Sequence, residues 1–293
     1  MLRLIAPVAL AFFTSAAAFA AEEWKPIWNG KNLEEWTVWL KHPEPTSNVP
    51  GLAKNAAGKY TEPLGARDPL KVFSVVEHEG KPVIRVSGEV FGELRSRGAF
   101  ENYHLRFQFK WGQKKWPPRD KPETPRDSGL LYHVHAEPGA EGRVWARSTE
   151  LQIQERDTGD LYSVGSIVLV RAALRKGTGN ATTKAIFDYD PKSPWRPFDQ
   201  LPGSDGRCVK QPDNEKPTGE WNTIELVCVG EDSYHIVNGK VVMRLHRTMR
   251  VDTPTPQVVT SGPIILQSEG AELFYRDIAV RSIRAVPREF AEQ

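Results

Sequence analysis

The stretch "HLRFQFKW" (residues 104–111) alternates without exception between polar and apolar side chains. Successive side chains of a strand point to opposite faces, so the pattern predicts a β-strand with one face on a core and the other in water. The apolar set is Leu105, Phe107, Phe109 and Trp111, and the polar set is His104, Arg106, Gln108 and Lys110.

Further strand signals recur along the chain, whereas helical periodicity is scarce and no internal repeat is visible. The segment "YHIVNGKVVMRL" (234–245) predicts a hairpin about Asn238-Gly239, because both residues tolerate positive φ. Short strands with turn residues between them predict an all-β sandwich or barrel. The other strand segments are "WNTIELVCV" (221–229), "GPIILQSE" (262–269) and "ELFYRDIAVRSI" (272–283).

The first twenty residues have the features of a secretory signal peptide. Arg3 precedes an apolar run that ends in Ala18-Phe19-Ala20, an A-x-A cleavage pattern. The run is short and alanine-rich for a membrane-spanning helix, and no later stretch is apolar enough to span a bilayer. We therefore expect cleavage after Ala20, export to the periplasm or the medium, and one mature domain over residues 21–293. An uncleaved anchor is the alternative.

The composition argues against a nucleic-acid partner. The net charge is +2, and no basic block stands out. The 9 tryptophans are compatible with sugar stacking and equally with a core. The two cysteines, Cys208 and Cys228, are expected either to form a disulfide after export or to remain thiols. Because no C-x-x-C is present, a thiol-based zinc site is not expected.

Three segments are too long and irregular to be simple connections: 41–70, 112–127 and about 172–219. Such segments in a compact domain are usually walls of a binding site or disordered excursions. Their aromatic residues are therefore candidates for ligand contact, although many loop aromatics only anchor the loop. These candidates are Trp116, Trp195 and Phe198.

The segment "TELQIQE" (149–155) carries the most suggestive polar face. As a strand, it sends Glu150, Gln152 and Gln154 to one side and Leu151 and Ile153 to the other. Glu155 follows, and a one-residue bulge would bring it to the side of Glu150. The polar side is either a solvated face or the floor of a sugar site.

Two other predicted strands also expose polar faces. In "SGLLYHVH" (128–135), Leu131, His133 and His135 share a side, and in "IILQSE" (264–269), Ile265, Gln267 and Glu269 do so. If the polar faces of the three strands line one groove, the following side chains converge there: Glu150, Gln152, His133, His135, Gln267 and Glu269. His133 and His135 either make ordinary hydrogen bonds or form a two-histidine, one-carboxylate metal site with Glu150. We expect no cofactor, and a divalent metal at these three residues is the alternative.

At these motifs the chain resembles the 3-keto-disaccharide hydrolase family. Its "LFNGKDLSGW"-like opening, "NSGI" strand, "GYEVQILD"-like strand and "TGAIY" are matched in order, as is its closing "GxIxLQxHGxxVxFRNIxIxxL". The matching segments are "IWNGKNLEEW" (27–36), "DSGLLYHV" (127–134), "STELQIQE" (148–155), "TGDLY" (158–162), "GEWNTIEL" (219–226) with its "NGK" hairpin, and "GPIILQSEGAELFYRDIAVRSI" (262–283). Glu269, Asp277 and Asp127 depart from the family's usual His, Asn and Asn, and the inserts at 112–127 and 172–219 are extra.

The resemblance implies a concanavalin-A-like jelly-roll sandwich, a single domain with long loop insertions, that acts on glycosides oxidised at C3. A 3-keto group acidifies the hydrogen on C2, so a base can remove it and the C1–O bond then breaks by elimination. Such a route needs a base, an electrophile for the enolate oxygen and an acid at the leaving oxygen. The expected catalytic residues are Glu150 or His133 as base and Glu155 or Glu269 as proton donor. The expected substrate-binding residues are Gln152, Gln154, Gln267, Arg276, His135 and Trp195.

Two other functions remain open at this point. Glu-x-Asp-x-x-Glu on such a strand is the pattern of retaining β-glucanases, whose two carboxylates lie about 5 Å apart. Here Gln152 stands where that pattern has Asp, which argues against an ordinary retaining glycosidase. A non-catalytic sugar-binding module would need aromatics and amides but no placed acid and base. The fold cannot choose between these functions.

Overall fold

The computed structural model describes residues 23–199, 201 and 203–293. The predicted signal peptide, residues 1–20, lies outside the described residues, and its cleavage and the domain start at Ala21 stay predictions. Among the described residues, no helix is long and apolar enough to cross a membrane.

The regular secondary structure of the described residues is almost wholly antiparallel strand. The helical pieces among these residues are a 3₁₀ turn, Ala140–Gly142, and a short α1, Arg288–Ala291. The strands are β1 (Lys25–Pro26), β2 (Trp36–Leu40), β3 (Phe73–His78), β4 (Lys81–Val86), β5 (Gly92–Ser96), β6 (Phe100–Glu101), β7 (Tyr103–Lys115), β8 (Asp127–Tyr132), β9 (Ser148–Gln154), β10 (Leu161–Val164), β11 (Ser166–Leu174), β12 (Phe187–Tyr189), β13 (Trp195–Phe198), β14 (Arg207–Cys208), β15 (Asn222–Val229), β16 (Asp232–Val237), β17 (Lys240–Arg250), β18 (Gln257–Val258), β19 (Ser261–Gly262), β20 (Ile265–Ser268) and β21 (Ala271–Ser282).

Two sheets form the sandwich. The larger sheet has the order β12-β11-β17-β16-β15-β7-β21-β4-β3, with β1, β13 and β18 paired at its sides. The smaller sheet has seven strands in the order β14-β10-β9-β8-β20-β5-β2, and β19 pairs with β6. Strands adjacent in a sheet are often distant in sequence, as in a jelly roll. The predicted all-β jelly-roll sandwich is confirmed.

The inner faces of the two sheets supply one hydrophobic core. On β7, Leu105, Phe107 and Phe109 are each 0% exposed, as the alternation predicts. On β9 of the opposite sheet, Leu151 and Ile153 are likewise 0% exposed and belong to the same cluster. Burial of such side chains stabilises the fold by about 1.5–3 kcal/mol each.

The predicted hairpin is also confirmed. Asn238 and Gly239 join β16 to β17 with φ of 49° and 79°, which is the left-handed geometry that a tight hairpin turn requires. Asn238 is held in place by its side chain, because its Oδ1 accepts a hydrogen bond from Thr223 N at 2.8 Å.

The long segment 172–219 is more ordered than the sequence indicates. It contains β12 and β13, which pair with β11, and β14, which pairs with β10 of the other sheet. Phe187, Phe198 and Cys208 from this segment pack with Leu161 and Val170 in a second hydrophobic cluster. The segment therefore packs as a wall at these short strands, while most of its other described residues are irregular, as predicted.

The two cysteines do not pair with each other in the part of the chain that the structure describes. Both are free and buried, Cys208 in the second cluster and Cys228 in the main core. Because they face different cores, the disulfide alternative is wrong. Burial raises the pKa of both thiols, which keeps them protonated and unreactive.

Candidate active site

The polar side of β9 faces outward from the smaller sheet, yet it is not solvated. Glu150 and Gln152 are each only 5% exposed. The chain between β8 and β9 packs Val134, Ala146 and Trp145 over this face of the sheet. These side chains are therefore the floor of an enclosed site, and a plain solvated face is excluded for them.

The centre of this floor is a glycine. Gly129 of β8 pairs with Gln152 of β9, and the side chains of Glu150 and Gln267 close over it from the two neighbouring strands. A Cβ atom at Gly129 would overlap Glu150 Oε1 and Gln267 Oε1 and would lie 2.9 Å from Glu150 Cδ. The absence of a side chain at this position lets the carboxyl and the amide meet.

Four buried polar atoms around this glycine have no hydrogen-bond partner among the described residues. They are Glu150 Oε1, Asp127 Oδ1 and both Gln267 amide atoms, Oε1 and Nε2. An unpartnered buried polar group costs about 1–3 kcal/mol, so native proteins rarely leave several together. Their grouping indicates a place where a polar ligand completes the hydrogen bonding. We call the site formed by Gly129, Glu150, Gln267, Asp127 and Glu269 the acidic pocket.

Arg119 enters the acidic pocket from the segment 112–127. Its Nη2 donates to Glu269 Oε1 at 2.8 Å and also pairs with Asp127, and its Nη1 donates to Gln154 Oε1 at 3.3 Å. The loop that carries it is anchored by Trp116, whose Nε1 donates to Ser87 O at 2.9 Å. One arginine thus holds the pocket's rim and neutralises part of its charge.

The three carboxyls of the acidic pocket interact electrostatically. Burial, and then the charge of Glu269, raise the pKa of Glu150 well above its usual range, with Arg119 opposing. The same causes raise the pKa of Asp127. Burial raises the pKa of Glu269 as well, although the charge of Arg119 and its hydrogen bond to Glu269 oppose the shift. Arg119 is thus paired with both Glu269 and Asp127, whereas Glu150 is the pocket carboxyl that has no salt bridge to a described residue.

A fourth acid, Glu93, continues the floor beyond Gln267. Glu93 of β5 pairs with Gln267 of β20 and is 0% exposed. Its Oε1 lies 3.0 Å from Arg95 Nη2, and its Oε2 accepts a hydrogen bond from Ala146 N at 3.2 Å. This ion pair fixes the wall on which the segment before β9 rests.

The histidines do not join the acidic pocket. Strand β8 ends at Tyr132, and His133 has a positive φ of 51°, so the alternation stops one residue before it. His133 Nδ1 instead lies 3.0 Å from Thr248 Oγ1 of the larger sheet, and burial lowers its pKa to about 3. His135 Nδ1 donates to His133 O at 2.9 Å. The convergence of His133 and His135 with Glu150 is wrong, because the chain turns at the strand end.

The positions of the two histidines also exclude the predicted metal site. His133 and His135 are turned away from Glu150, and within the described ranges no three His, Cys, Asp or Glu side chains are grouped as metal ligands. The His133, His135 and Glu150 set is therefore not a ligand set. The expectation that the protein needs no cofactor stays a prediction.

Glu155 and Gln154 lie at the rim. Glu155 accepts hydrogen bonds from Arg126 N at 2.8 Å, Arg126 Nη1 at 2.8 Å and Thr218 Oγ1 at 2.6 Å. Against the effect of burial, these contacts hold the pKa of Glu155 below its usual value. An ionised, fully bonded carboxylate is not suited to donate a proton, so the structure does not support Glu155 in that role. Gln154 Nε2 donates to Asp157 Oδ2 at 2.6 Å.

Two predicted substrate-binding residues lie on the other sheet. Arg276 of β21 donates to Gln108 Oε1 at 2.8 Å and stacks on Trp221 at 3.7 Å from the ring centre. Trp195 of β13 is 42% exposed and stacks against Arg171 of β11. Both belong to the larger sheet, so their placement in a groove with Glu150 is wrong. The assignment failed because the sequence alone does not show which strands share a sheet.

A cavity of 680 Å³ opens on the outer side of the larger sheet. It is lined by residues such as Trp28, Arg106, Gln108 and Asp277. None of its described lining residues carries a buried polar atom without a partner. The acidic pocket, which has such atoms, therefore remains the candidate site.

Sequence reasoning missed Arg119, Glu93 and Gly129, and it noticed Asp127 only as a departure from a family pattern. A signal was present for Gly129, because glycine inside a strand often marks a close approach of another group. For Arg119 no local signal existed, since it stands in a proline-rich segment whose path the sequence does not show.

Comparison with known families settles the class of the chain. A model of the 3-keto-alpha-glucoside-1,2-lyase-like domain matches residues 23–281. The chain belongs to this family. Membership makes it a carbohydrate-active protein of the glycosyl-hydrolase-like class and confirms the resemblance seen in the motifs. A search among proteins of curated function gave no match.

Solved structures that are similar to this family member have low sequence identity to it. Two candidate glycosyl hydrolases of Parabacteroides distasonis are 15% and 19% identical, with TM-scores of 0.49 and 0.46. The first comparison covers 89% of this chain and 94% of the other, and the second covers 89% and 100%. A β-glucanase of Bacillus licheniformis is 11% identical over 91% of this chain and 100% of its own, with a TM-score of 0.36.

Proposed function

We propose that the protein is an exported enzyme that cleaves glycosides oxidised at C3, by elimination across C1 and C2 followed by hydration. The observation that carries the proposal is the set of unpartnered atoms in the acidic pocket: one carboxyl oxygen of Glu150 faces one complete amide of Gln267 across Gly129. A base and a neutral hydrogen-bond donor side by side are what this reaction requires. Family membership supports the substrate class.

Glu150 is the proposed general base. In the first step its carboxylate removes the hydrogen from C2, and the electron pair moves to the C3 oxygen as an enolate. In the second step the pair returns, a double bond forms between C1 and C2, and the C1–O bond breaks with release of the aglycone. A raised pKa suits this role, because a buried carboxylate is a stronger base once ionised and its pKa moves toward the working pH.

Gln267 is the proposed partner of the enolate. Its Nε2 is a buried donor without a partner among the described residues, so a ketone oxygen placed there gains a hydrogen bond that strengthens as negative charge develops. Gln152, next to Gly129, has its Oε1 bonded to Ile153 N at 2.8 Å and leaves its amide NH₂ to orient a hydroxyl.

Asp127, Glu269 and Arg119 form the opposite side of the proposed sugar site. Their oxygens and guanidinium can bind ring hydroxyls, and the charge of Glu269 helps to raise the pKa of Glu150. Because Glu269 is bonded to Arg119, we assign it to this tuning and binding role and no longer to proton donation.

An ordinary retaining glycosidase is the competing reading. It would need two carboxyls that both face the anomeric carbon, one of them an ionised nucleophile. Here Glu269, the candidate for such a nucleophile, is bonded to Arg119, and Gln152 stands where the glucanase pattern has Asp. A non-catalytic module would have no use for a base with a raised pKa beside an unpartnered amide. The arrangement therefore supports elimination best.

The test is aglycone release from a 3-keto-glycoside and from its unoxidised parent. The proposal predicts release from the ketone only, and a loss of about 100-fold or more in Glu150→Gln with the fold retained. Glu225→Gln is the matched control, since Glu225 is also a largely buried carboxylate, bonded to His104 Nε2 at 2.8 Å on the larger sheet. Cleavage of the unoxidised parent would favour the glycosidase, and binding without cleavage of either would favour the module.

A further inference from the structure

A tyrosine stands next to Glu150 on the floor of the smaller sheet. Tyr162 of β10 pairs directly with Glu150 of β9. Directly opposed residues of an antiparallel pair have side chains on the same face, with Cβ atoms about 4.5–5.5 Å apart. Tyr162 is half-buried, and its hydroxyl makes no hydrogen bond to any other described residue. It thus presents a free donor beside the proposed base.

The ring of Tyr162 is held by an arginine that is itself fixed. The Arg207 guanidinium lies 5.6 Å from the centre of the Tyr162 ring. Arg207 Nε and Nη2 donate to Asp160 Oδ2 at 2.9 and 2.6 Å, and Nη2 lies 2.8 Å from Asp157 Oδ1. Asp160 is 0% exposed, and its Oδ1 also accepts a hydrogen bond from Lys210 N at 3.0 Å. Tyr162 is therefore positioned by an arginine whose partner, Asp160, is fully buried.

The order of the strands gives the direction of the substrate. Gln267, Gly129, Glu150 and Tyr162 lie on four successive strands, β20, β8, β9 and β10. Neighbouring strands are about 4.8 Å apart, and the register places Gln267 and Gly129 two residues along from the row of Glu150 and Tyr162, so these groups run diagonally across the floor. If the C3 oxygen lies at Gln267 and the C2 hydrogen at Glu150, the next atoms along the sugar, C1 and its leaving oxygen, point toward Tyr162.

We propose that Tyr162 is the catalytic acid that protonates the leaving oxygen, and that β10 and β14 form the aglycone side of the pocket. The inference rests on the proposed function. As the C1–O bond breaks, the Tyr162 hydroxyl proton passes to the departing oxygen, which leaves as an alcohol, and the tyrosinate regains a proton from solvent at its half-exposed position. Burial raises the pKa of Tyr162 to about 12, so the hydroxyl is protonated before the reaction.

The test compares two leaving groups in Tyr162→Phe, which keeps the ring beneath Arg207. A 3-keto-glycoside of 4-nitrophenol needs little acid assistance, whereas a methyl 3-keto-glycoside needs much. We expect kcat to fall by about 100-fold or more for the methyl glycoside and by less than about threefold for the nitrophenyl glycoside. Tyr234→Phe is the matched control, because Tyr234 is also half-buried beneath an arginine, with Arg244 at 5.5 Å, but lies on the larger sheet.

The outcomes separate the two proposals. Equal losses for both leaving groups, or no loss for either, would overturn the role of Tyr162 while leaving the elimination proposal standing. No turnover of either 3-keto-glycoside by the unmodified protein would overturn the proposed function, and the role of Tyr162 with it. Thermal melting of each variant shows whether a loss of activity reflects loss of fold.

Discussion

Replacing Gly129 by alanine tests whether the gap in the floor is what allows the acidic pocket to work. Gly129 lies in β8 without a positive φ, so the backbone accepts alanine. The new methyl group would lie 2.9 Å from Glu150 Cδ. Ordinary carbon contacts are about 3.5–4.0 Å, so the carboxyl must retreat by at least about 0.6 Å. The amide of Gln267 is displaced at the same time.

A displacement of this size reduces catalytic activity strongly but lowers the stability of the fold only modestly. A misplacement of about 1 Å reduces activity by about 100-fold, whereas overpacking costs about 1–3 kcal/mol. The atoms that must move are the ends of flexible side chains, so we expect the lower end of that range. We therefore expect Gly129→Ala to lose about 100-fold in kcat/KM for a 3-keto-glycoside, with a melting temperature close to that of the parent.

The matched control is Gly112→Ala in β7. Its methyl group would lie 2.5 Å from Glu272 Cγ, so it also displaces the end of a buried carboxylate, which there is paired with Arg85. We expect a comparable change in melting temperature and unchanged kcat/KM. If Gly129→Ala retains kcat/KM within about twofold of the parent, the pocket at Gly129 is not where the reaction takes place.

Three further expectations follow from the same structure. Burial and the charge of Glu269 raise the pKa of Glu150 above its unfolded value, so the contribution of this group to stability is present at about pH 4 and lost as the pH rises. The melting temperature of Glu150→Gln should therefore equal that of the parent at about pH 4 and exceed it by a few degrees at about pH 8. Equal melting temperatures at both pH values would contradict the raised pKa. Leu151→Ala should lower the free energy of unfolding by about 2–5 kcal/mol in denaturant titrations, because it leaves a cavity in the core, and a smaller change would argue that the core closes around it. Intact-mass analysis of exported protein should give a chain that begins at Ala21, and a product that keeps residues 1–20 would reject the signal peptide.

The sequence predicts local structure well where one strand decides it. Leu105, Phe107 and Phe109 are fully buried in the core, as their alternation predicts. Asn238 and Gly239 form the turn that their residue types favour. These features depend on nearest neighbours along the chain. By contrast, the extent of 172–219 as a strand-containing wall depends on pairing with β10 and β11, and no local pattern encodes that pairing.

The candidate site was predictable only in part for the same reason. Glu150 and Gln267 stand on strands whose alternation assigns their faces correctly, and these strands share a sheet. His133 was assigned to the same face because the alternation was continued past Tyr132, where a positive φ ends it. Arg276 follows an equally good alternation, but on the other sheet. The order of strands within the two sheets is long-range information that a single sequence does not display.

Cleavage of a 3-keto-glycoside in D₂O tests the central proposal, removal of the C2 hydrogen at the acidic pocket, most directly. Elimination breaks the C2–H bond, so the product must be the unsaturated ketone or, after hydration, a sugar with deuterium at C2, as read by NMR and mass spectrometry. Substrate and product sugar kept in D₂O without enzyme correct for spontaneous exchange. The account predicts one deuterium at C2 for each hydrated sugar formed. A hydrolysed product that retains its original hydrogen at C2 would contradict it and assign the pocket to direct displacement at C1.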